Sequence, residues 1–413
     1  MSCDWSSILI SLRKVSQSYG DRAVLVDASV GPGERAGVVG DNGSGRSTLL
    51  RTIAEHAAGA GTRPAAARRA DQPSVAGAGR GAGAGARRLR RHARRGVTRP
   101  SPHPAFPGRR NHSHGGNHML TMISAGAPYG ITTGADGALW FTLVHEGRVG
   151  RLVPGQEPVI HQLDPADGQP TVIAPGPGGA LWFTEGKGGR VCRITADGQV
   201  TAYPADSPYG IVAGPDGAMW FTQMRSGRIG RVAADGTLSA CEVPVEGGMP
   251  AFLTAGPDDA LWFTLNQGNA IGRVSMEGKV TVHPLPTEGG APVGITLGPD
   301  GALWFVEIGA GQIGRIDTAG GIREFALPDR EARPHAIITG PDGALWFTEW
   351  AAGRLGRITT DGVIDHHPLP RLPDGPDGAR RSEPHGLTAG PDGAIWVALE
   401  AGALARVPSG TAT

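Results

Sequence analysis

The stretch PYGITTGADGALWFTLVHEGRVGRLVP, residues 128–154, decides the fold. It holds three short runs of β-branched and aromatic residues, PYGITTG, ALWFTLV and RVGRLVP, separated by ADG and EG, and EPVIHQLDP at 157–165 supplies a fourth. The separators provide the left-handed backbone positions that tight hairpins need. A helix is excluded, because a glycine every few residues leaves no apolar period of about 3.6 intact.

The phrase returns along the chain. GALWFT, ALWFTE, GAMWFT, DALWFT, GALWFV, GALWFTE and GAIWVA carry Trp140, Trp182, Trp220, Trp262, Trp304, Trp346 and Trp396, at intervals of 42, 38, 42, 42, 42 and 50 residues. That is the spacing of four-stranded blades, so the fold class is all-β, a seven-bladed β-propeller over residues 116–413. The seven Trp are expected to pack between blades. After AIWVALE and ALARVPSG the last blade is one strand short, and NHMLTMIS, residues 117–124, is the apolar run that would complete it and remove an exposed sheet edge.

What precedes the repeat has another character. Residues 1–61 contain YGDRAVLVDASVGPGERAGVVG followed by DNGSGRST, in which Gly40, Gly45, Ser47 and Thr48 fit a phosphate-binding P-loop. Arg46 stands where that loop needs the compact ammonium of lysine, and the planar guanidinium is not an equivalent exchange. Over residues 8–56 this stretch resembles the start of an ABC-type ATPase domain. No signature segment or magnesium-binding Asp-Glu strand follows, so a truncated α/β fragment without ATPase function is expected. Residues 62–115 form an Arg/Ala/Gly-rich linker, expected to be disordered because it has hardly any aliphatic side chain to bury. The abrupt join is read as a fusion of reading frames, with Met119 or Met122 as the start of the working protein.

The net charge of +1 averages unlike segments, since residues 62–110 hold thirteen Arg and one acid while the propeller region carries about −11. An acidic body argues against nucleic-acid binding. Cys3, Cys192 and Cys241 are scattered without metal or redox spacing, and the first residues lack a secretory pattern, so a reduced, cytoplasmic protein is expected. No apolar run is long enough for a membrane helix. A closed ring needs no partner, so a monomer is expected.

Candidate chemistry follows from the hairpin. In each unit a Pro-X phrase opens the innermost strand and the Trp strand runs back, so X and the residue after WFT are expected on one mouth of the ring. X is Tyr129, Thr171, Tyr209, Ala251, Val293, His335 and His385; the companions are Leu143, Glu185, Gln223, Leu265, Glu307 and Glu349, with Glu400 one step later in the last unit. His335, His385, Glu383 and Glu400 thus meet on neighbouring blades, where near-identical phrases diverge into titratable groups. His366 and His367 of DHHPLP are expected to face solvent, and His112, His114 and His118 to be incidental.

APYGITTG, GAPVGITLG, ARPHAIITG and SEPHGLTAG, together with the TEW phrase and the late Glu400, resemble the virginiamycin B lyase, or streptogramin B lyase, family over residues 122–413. The resemblance implies a lyase that opens cyclic depsipeptide antibiotics at their ester by elimination, conferring resistance. It implies that His385 is the general base, that Glu383 and Glu400 ligate Mg2+, and that His335 and Tyr129 contact the small-molecule substrate. Gln223 and Leu265 stand where family members often carry glutamate in the third and fourth blades, and the first blade has Leu143. Two rival readings are a propeller that binds without catalysis and a metal-dependent lactone hydrolase.

Overall fold

Each unit folds as an antiparallel meander because its turns take glycine and its runs alternate against two neighbouring sheets. The computed structural model describes residues 10–19, 22–30, 119–122, 126–369, 372 and 382–410. The P-loop residues Gly40, Gly45, Arg46, Ser47 and Thr48, the linker, and His112, His114 and His118 lie outside them. The chain divides into two units, Met1–Ala105 and Phe106–Thr413. In the first, the strands Ile10–Tyr19 and Arg22–Val30 pair as an antiparallel hairpin. Among the described residues no helix is long and apolar enough to cross a membrane.

The second unit holds seven four-stranded sheets. Blade one consists of Pro128–Thr133, Leu139–Leu143, Arg148–Leu152 and Val159–Gln162, and the other innermost strands begin at Pro170, Pro208, Pro250, Pro292, Pro334 and Pro384. Blade seven, built from Pro384–Ala389, Ile395–Leu399 and Ala403–Val407, takes its fourth strand from Met119–Met122, antiparallel to Ala403–Val407. That is the closure expected from the sequence. At the seam the Thr133 hydroxyl donates to the Ala389 carbonyl at 2.7 Å.

All seven blade tryptophans are at most 6% exposed. Each sits against the second strand of the next blade, as Trp304 does against Phe347, Trp396 against Phe141 and Trp346 against Val397. Room for the Phe comes from glycine in the third strand of blades one, three, four, five and six, with Cys192 there in blade two: a Cβ on Gly150 would lie 2.1 Å from the Phe141 ring. The turn aspartate then satisfies the buried indole. Asp300 accepts from Trp304 Nε1 at 3.0 Å and from Arg315 Nε at 2.7 Å, and Asp136, Asp216, Asp258, Asp342 and Asp392 repeat the pair. Blade two has Gly178 there, and Trp182 Nε1 is buried with no partner.

The outer-strand histidines are not solvent-facing side chains. His367 packs on Trp346 with ring centroids 4.4 Å apart, as His161 and His283 do on Trp140 and Trp262. His366 Nε2 lies 3.1 Å from Glu349. The companion glutamates differ from expectation as well: Glu185, Glu307 and Glu349 are fully buried, so they do not open onto the mouth. Glu185 pairs with Arg190 and Glu349 with Arg354, each across the neighbouring strand. In blade five Gln312 occupies that register, giving Glu307 one amide donor at 2.9 Å and leaving its Oε1 without a partner. Burial pushes the Glu307 carboxyl up to about 7.

Asp300→Ala strands an indole N–H and a guanidinium and should lower stability by about 2 to 3 kcal/mol, read as a shifted urea midpoint at unchanged slope. Glu307 adds a pH term of definite sign. Below its ordinary range both folded and unfolded chains hold the proton, and as pH rises to about 7 only the unfolded chain releases it, so stability falls across that window. Glu307→Gln should therefore leave melting near pH 4 unchanged and stabilise the protein at pH 8, by at most about 3 kcal/mol.

Candidate active site at the mouth of the ring

The inner-strand entry fixes what reaches the mouth. Pro384 pairs with Leu399 and Pro334 with Glu349, which places Glu400 one residue beyond the strand, on the mouth side of the companion position. There the Glu400 amide donates to the Glu383 carbonyl at 3.1 Å, just as Trp350 donates to Arg333 in blade six. Glu383 has φ 44°, a left-handed value for a residue before proline. Gln169, Ser207, Met249, Ala291 and Arg333 share it with φ between 45° and 57°, so the geometry belongs to blade entry and not to catalysis.

The late position of Glu400 brings it to His385, beside His335 and Tyr129. His385 Nε2 lies 2.6 Å from Glu400 Oε2, and the His385 side chain is only 10% exposed. Its ring stacks on Tyr129 at 4.4 Å and meets the His335 ring edge-on at 5.1 Å. The Tyr129 and Tyr209 hydroxyls are 2.8 Å apart, and Phe252 touches both Tyr209 and His335 in T-shaped contacts. These rings plug the axis. Along the inner strands behind them runs a cavity of about 220 Å³ walled by Ile131, Ile173, Ile295, Ile337 and Leu387.

A dry aromatic surround sets the charges. Burial, with His385 adding to it, pushes His335 down to about 3, so that ring is neutral. Burial and the Tyr209 contact hold Tyr129 well above the usual phenol range. Glu400 is drawn down to about 2, first by its hydrogen bond to His385 and then by His145, and it remains a carboxylate. Nδ1 of both His385 and His335 is buried without a partner.

Backbone positioning is uneven. In blades one, three, four and six the Thr of the WFT phrase accepts from an amide of its own inner strand and donates to the X carbonyl of the next blade, whereas Thr184 in blade two meets the Thr171 hydroxyl and donates to the Tyr209 carbonyl. Thr348 bonds the Ala336 amide at 3.0 Å and the His385 carbonyl at 3.0 Å; Thr222 bonds Gly210 and the Ala251 carbonyl at 2.8 and 2.7 Å. Val306 and Ala398 replace this Thr in blades five and seven, the blades that precede His335 and Tyr129 around the ring. Of the three, His385 alone has its carbonyl held by a threonine of the preceding blade.

The sequence missed two participants. His145, exposed on a blade-one loop, reaches Glu400 Oε1 at 2.7 Å. Phe252 occupies an inner-strand position that is Gly130, Gly210, Gly294 and Gly386 elsewhere, a signal visible in the repeat. For a divalent cation the candidate donors would be Glu383 and Glu400. Among the described residues the Glu383 carboxylate has no hydrogen-bond or ion-pair partner, and no three or more His, Cys, Asp or Glu cluster to hold a metal. Two hard carboxylates on hydrogen-bonded backbone neighbours suit Mg2+, which keeps several waters and takes one or two carboxylates.

The virginiamycin B lyase family profile matches residues 117–407. A virginiamycin B lyase from Saccharopolyspora erythraea is 68% identical over 40 residues, 10% of this chain, and the matched segment spans 13% of that relative's length. A solved streptogramin B lyase superposes with a TM-score of 0.66 at 41% identity, over 70% of this chain and 96% of that one. A catalytically inactive histidine-to-alanine virginiamycin B lyase from Staphylococcus aureus, solved with quinupristin, gives 0.65 at 38% identity over 70% and 98%. The amino-terminal ATPase resemblance has its counterpart in a tylosin resistance ATP-binding protein of Streptomyces fradiae, 53% identical over 47 residues, 11% of this chain and 9% of that protein. With a family match running through every blade, the chain belongs to the virginiamycin B lyase family.

Proposed function

We propose that the protein is a magnesium-dependent lyase that linearises type B streptogramins, cyclic depsipeptide antibiotics, by elimination at the ester, and so confers resistance. The observation that carries this reading is the His385–Glu400 pair, 2.6 Å apart at the mouth of an aromatic-lined ring, with the backbone of Glu383 bonded to that of Glu400. The inactive histidine variant of the Staphylococcus aureus relative, solved with quinupristin, supports it.

An ester whose alkoxy carbon lies β to a carbonyl can be opened without water. A base removes the α-proton, that electron pair forms a carbon–carbon double bond, and the carbon–oxygen bond breaks to release a carboxylate. Histidine suits the task because its ordinary pKa lies near neutrality. Nδ1 of His385 is shut away, so Nε2 is the atom that reaches substrate. While Nε2 carries the hydrogen that it donates to Glu400 it has no lone pair to offer; Nε2 serves as the base in the tautomer that holds its hydrogen on Nδ1, with the carboxylate turned away. Glu383 and Glu400 would hold Mg2+, whose charge stabilises the developing enolate and leaving carboxylate. Tyr129 keeps the His385 ring in plane, and the neutral His335 and Tyr129 contact the substrate.

Incubating the full chain with a type B streptogramin, with and without EDTA, tests this by mass. A linear product isomeric with the substrate, formed only with Mg2+, is expected; a gain of one water would make the protein a hydrolase, and no conversion would make it a binding module. His385→Ala should lower kcat by about 10³-fold or more while the protein melts normally. Thr348→Val should lower kcat about tenfold by loosening the His385 backbone, with Thr348→Ser restoring it. Thr222→Val breaks the equivalent two bonds in blade three and should leave kcat unchanged.

A further inference from the structure

Seven of the eight tryptophans among the described residues are buried between blades, and the eighth is not. Trp350 is 38% exposed. Its backbone occupies in blade six the position that Glu400 occupies in blade seven, donating to Arg333 as Glu400 donates to Glu383. Its ring centroid lies 6.3 Å from that of His385, with the planes tilted by 47°. The equivalent residues elsewhere are Val144, Gly186, Met224, Asn266 and Ile308, so neither turn nor packing requires an indole. The other exposed large apolar side chains, Val159, Val200, Leu238 and Val363, sit on or beside outer strands, away from the mouth.

An indole more than a third exposed beside the His385 ring keeps an apolar face in water that the fold does not cover, and that face is suited to burial under a ligand. We infer that Trp350 is a substrate platform: its face takes the flat apolar or amide surface of the depsipeptide ring next to the ester, setting which ring residue stands over His385. The inference rests on the lyase reading and deepens it. An adjacent centroid at 6.3 Å places the group resting on the indole within one residue of the bond that breaks, so Trp350 governs specificity for the residue flanking the ester. A substrate carrying a charged side chain there loses the stacking contact and pairs poorly with the aromatic mouth formed by Tyr129, Phe252 and Trp350.

Steady-state kinetics and fluorescence on the full chain test the role separately from the chemistry. Trp350→Ala should raise KM for a type B streptogramin about tenfold with kcat within about twofold, and Trp350→Phe should recover most of the loss. In a His385→Ala background, where the antibiotic stays intact, titration should change the tryptophan emission, and the change should vanish when Trp350→Phe is added. If the wild-type chain converts the antibiotic while Trp350→Ala leaves KM unmoved, the platform role is overturned and the lyase reading stands. Failure of the wild-type chain to convert it overturns both.

Discussion

A buried indole N–H needs an acceptor, and the ring is organised around providing one. A tryptophan between two blades contributes a large apolar surface, but its Nε1 would be stranded unless a carboxylate in the preceding turn accepted it. The turn aspartate does so and at once takes the guanidinium of the third strand, tying turn, second strand and third strand through one side chain. The glycine beside it lets the chain reverse, and the glycine facing Phe lets the sheets close. Blade two, with Gly178 in place of the aspartate and an unpartnered Trp182, shows that the ring tolerates one such defect.

A scaffold so uniform leaves the chemistry to its exceptions. Two positions per blade, the inner-strand entry and the residue after the second strand, are not bound by the packing rule, and there blades six and seven depart from their siblings. Where the same register position stays under the packing rule, a glutamate becomes structural: Glu185 and Glu349 are neutralised by arginine across the strand, and Glu307, lacking one, is held near its protonated form. One residue further along, Glu400 emerges among histidines as a carboxylate at all ordinary pH.

The blade count, the closing strand and the core tryptophans were legible because spacing and turn chemistry encode them locally. The meeting of His385 with Glu400 was legible for the same reason, as a consequence of hairpin register. What was not legible depended on side-chain reach across blades. His145 comes to Glu400 from the far side of the ring closure, 255 residues away in sequence, and nothing in its own phrase marks it. The companion glutamates were placed on the right strand end but not at the right depth, since register cannot tell a buried carboxylate from an exposed one. His366 and His367 sit in an outer strand whose polar composition hides that one stacks on a tryptophan and the other reaches a buried acid.

The fourth strand of blade seven comes from Met119–Met122, while Glu383, His385 and Glu400 belong to the same blade and His145 approaches from blade one. The reactive groups therefore straddle the place where the ring's two ends meet. Blade seven is complete only where the two ends of the repeat meet, so the arrangement of these side chains depends on a closed ring. Any partial opening at that seam would draw His145 away from Glu400 while most of the β-structure stays in place.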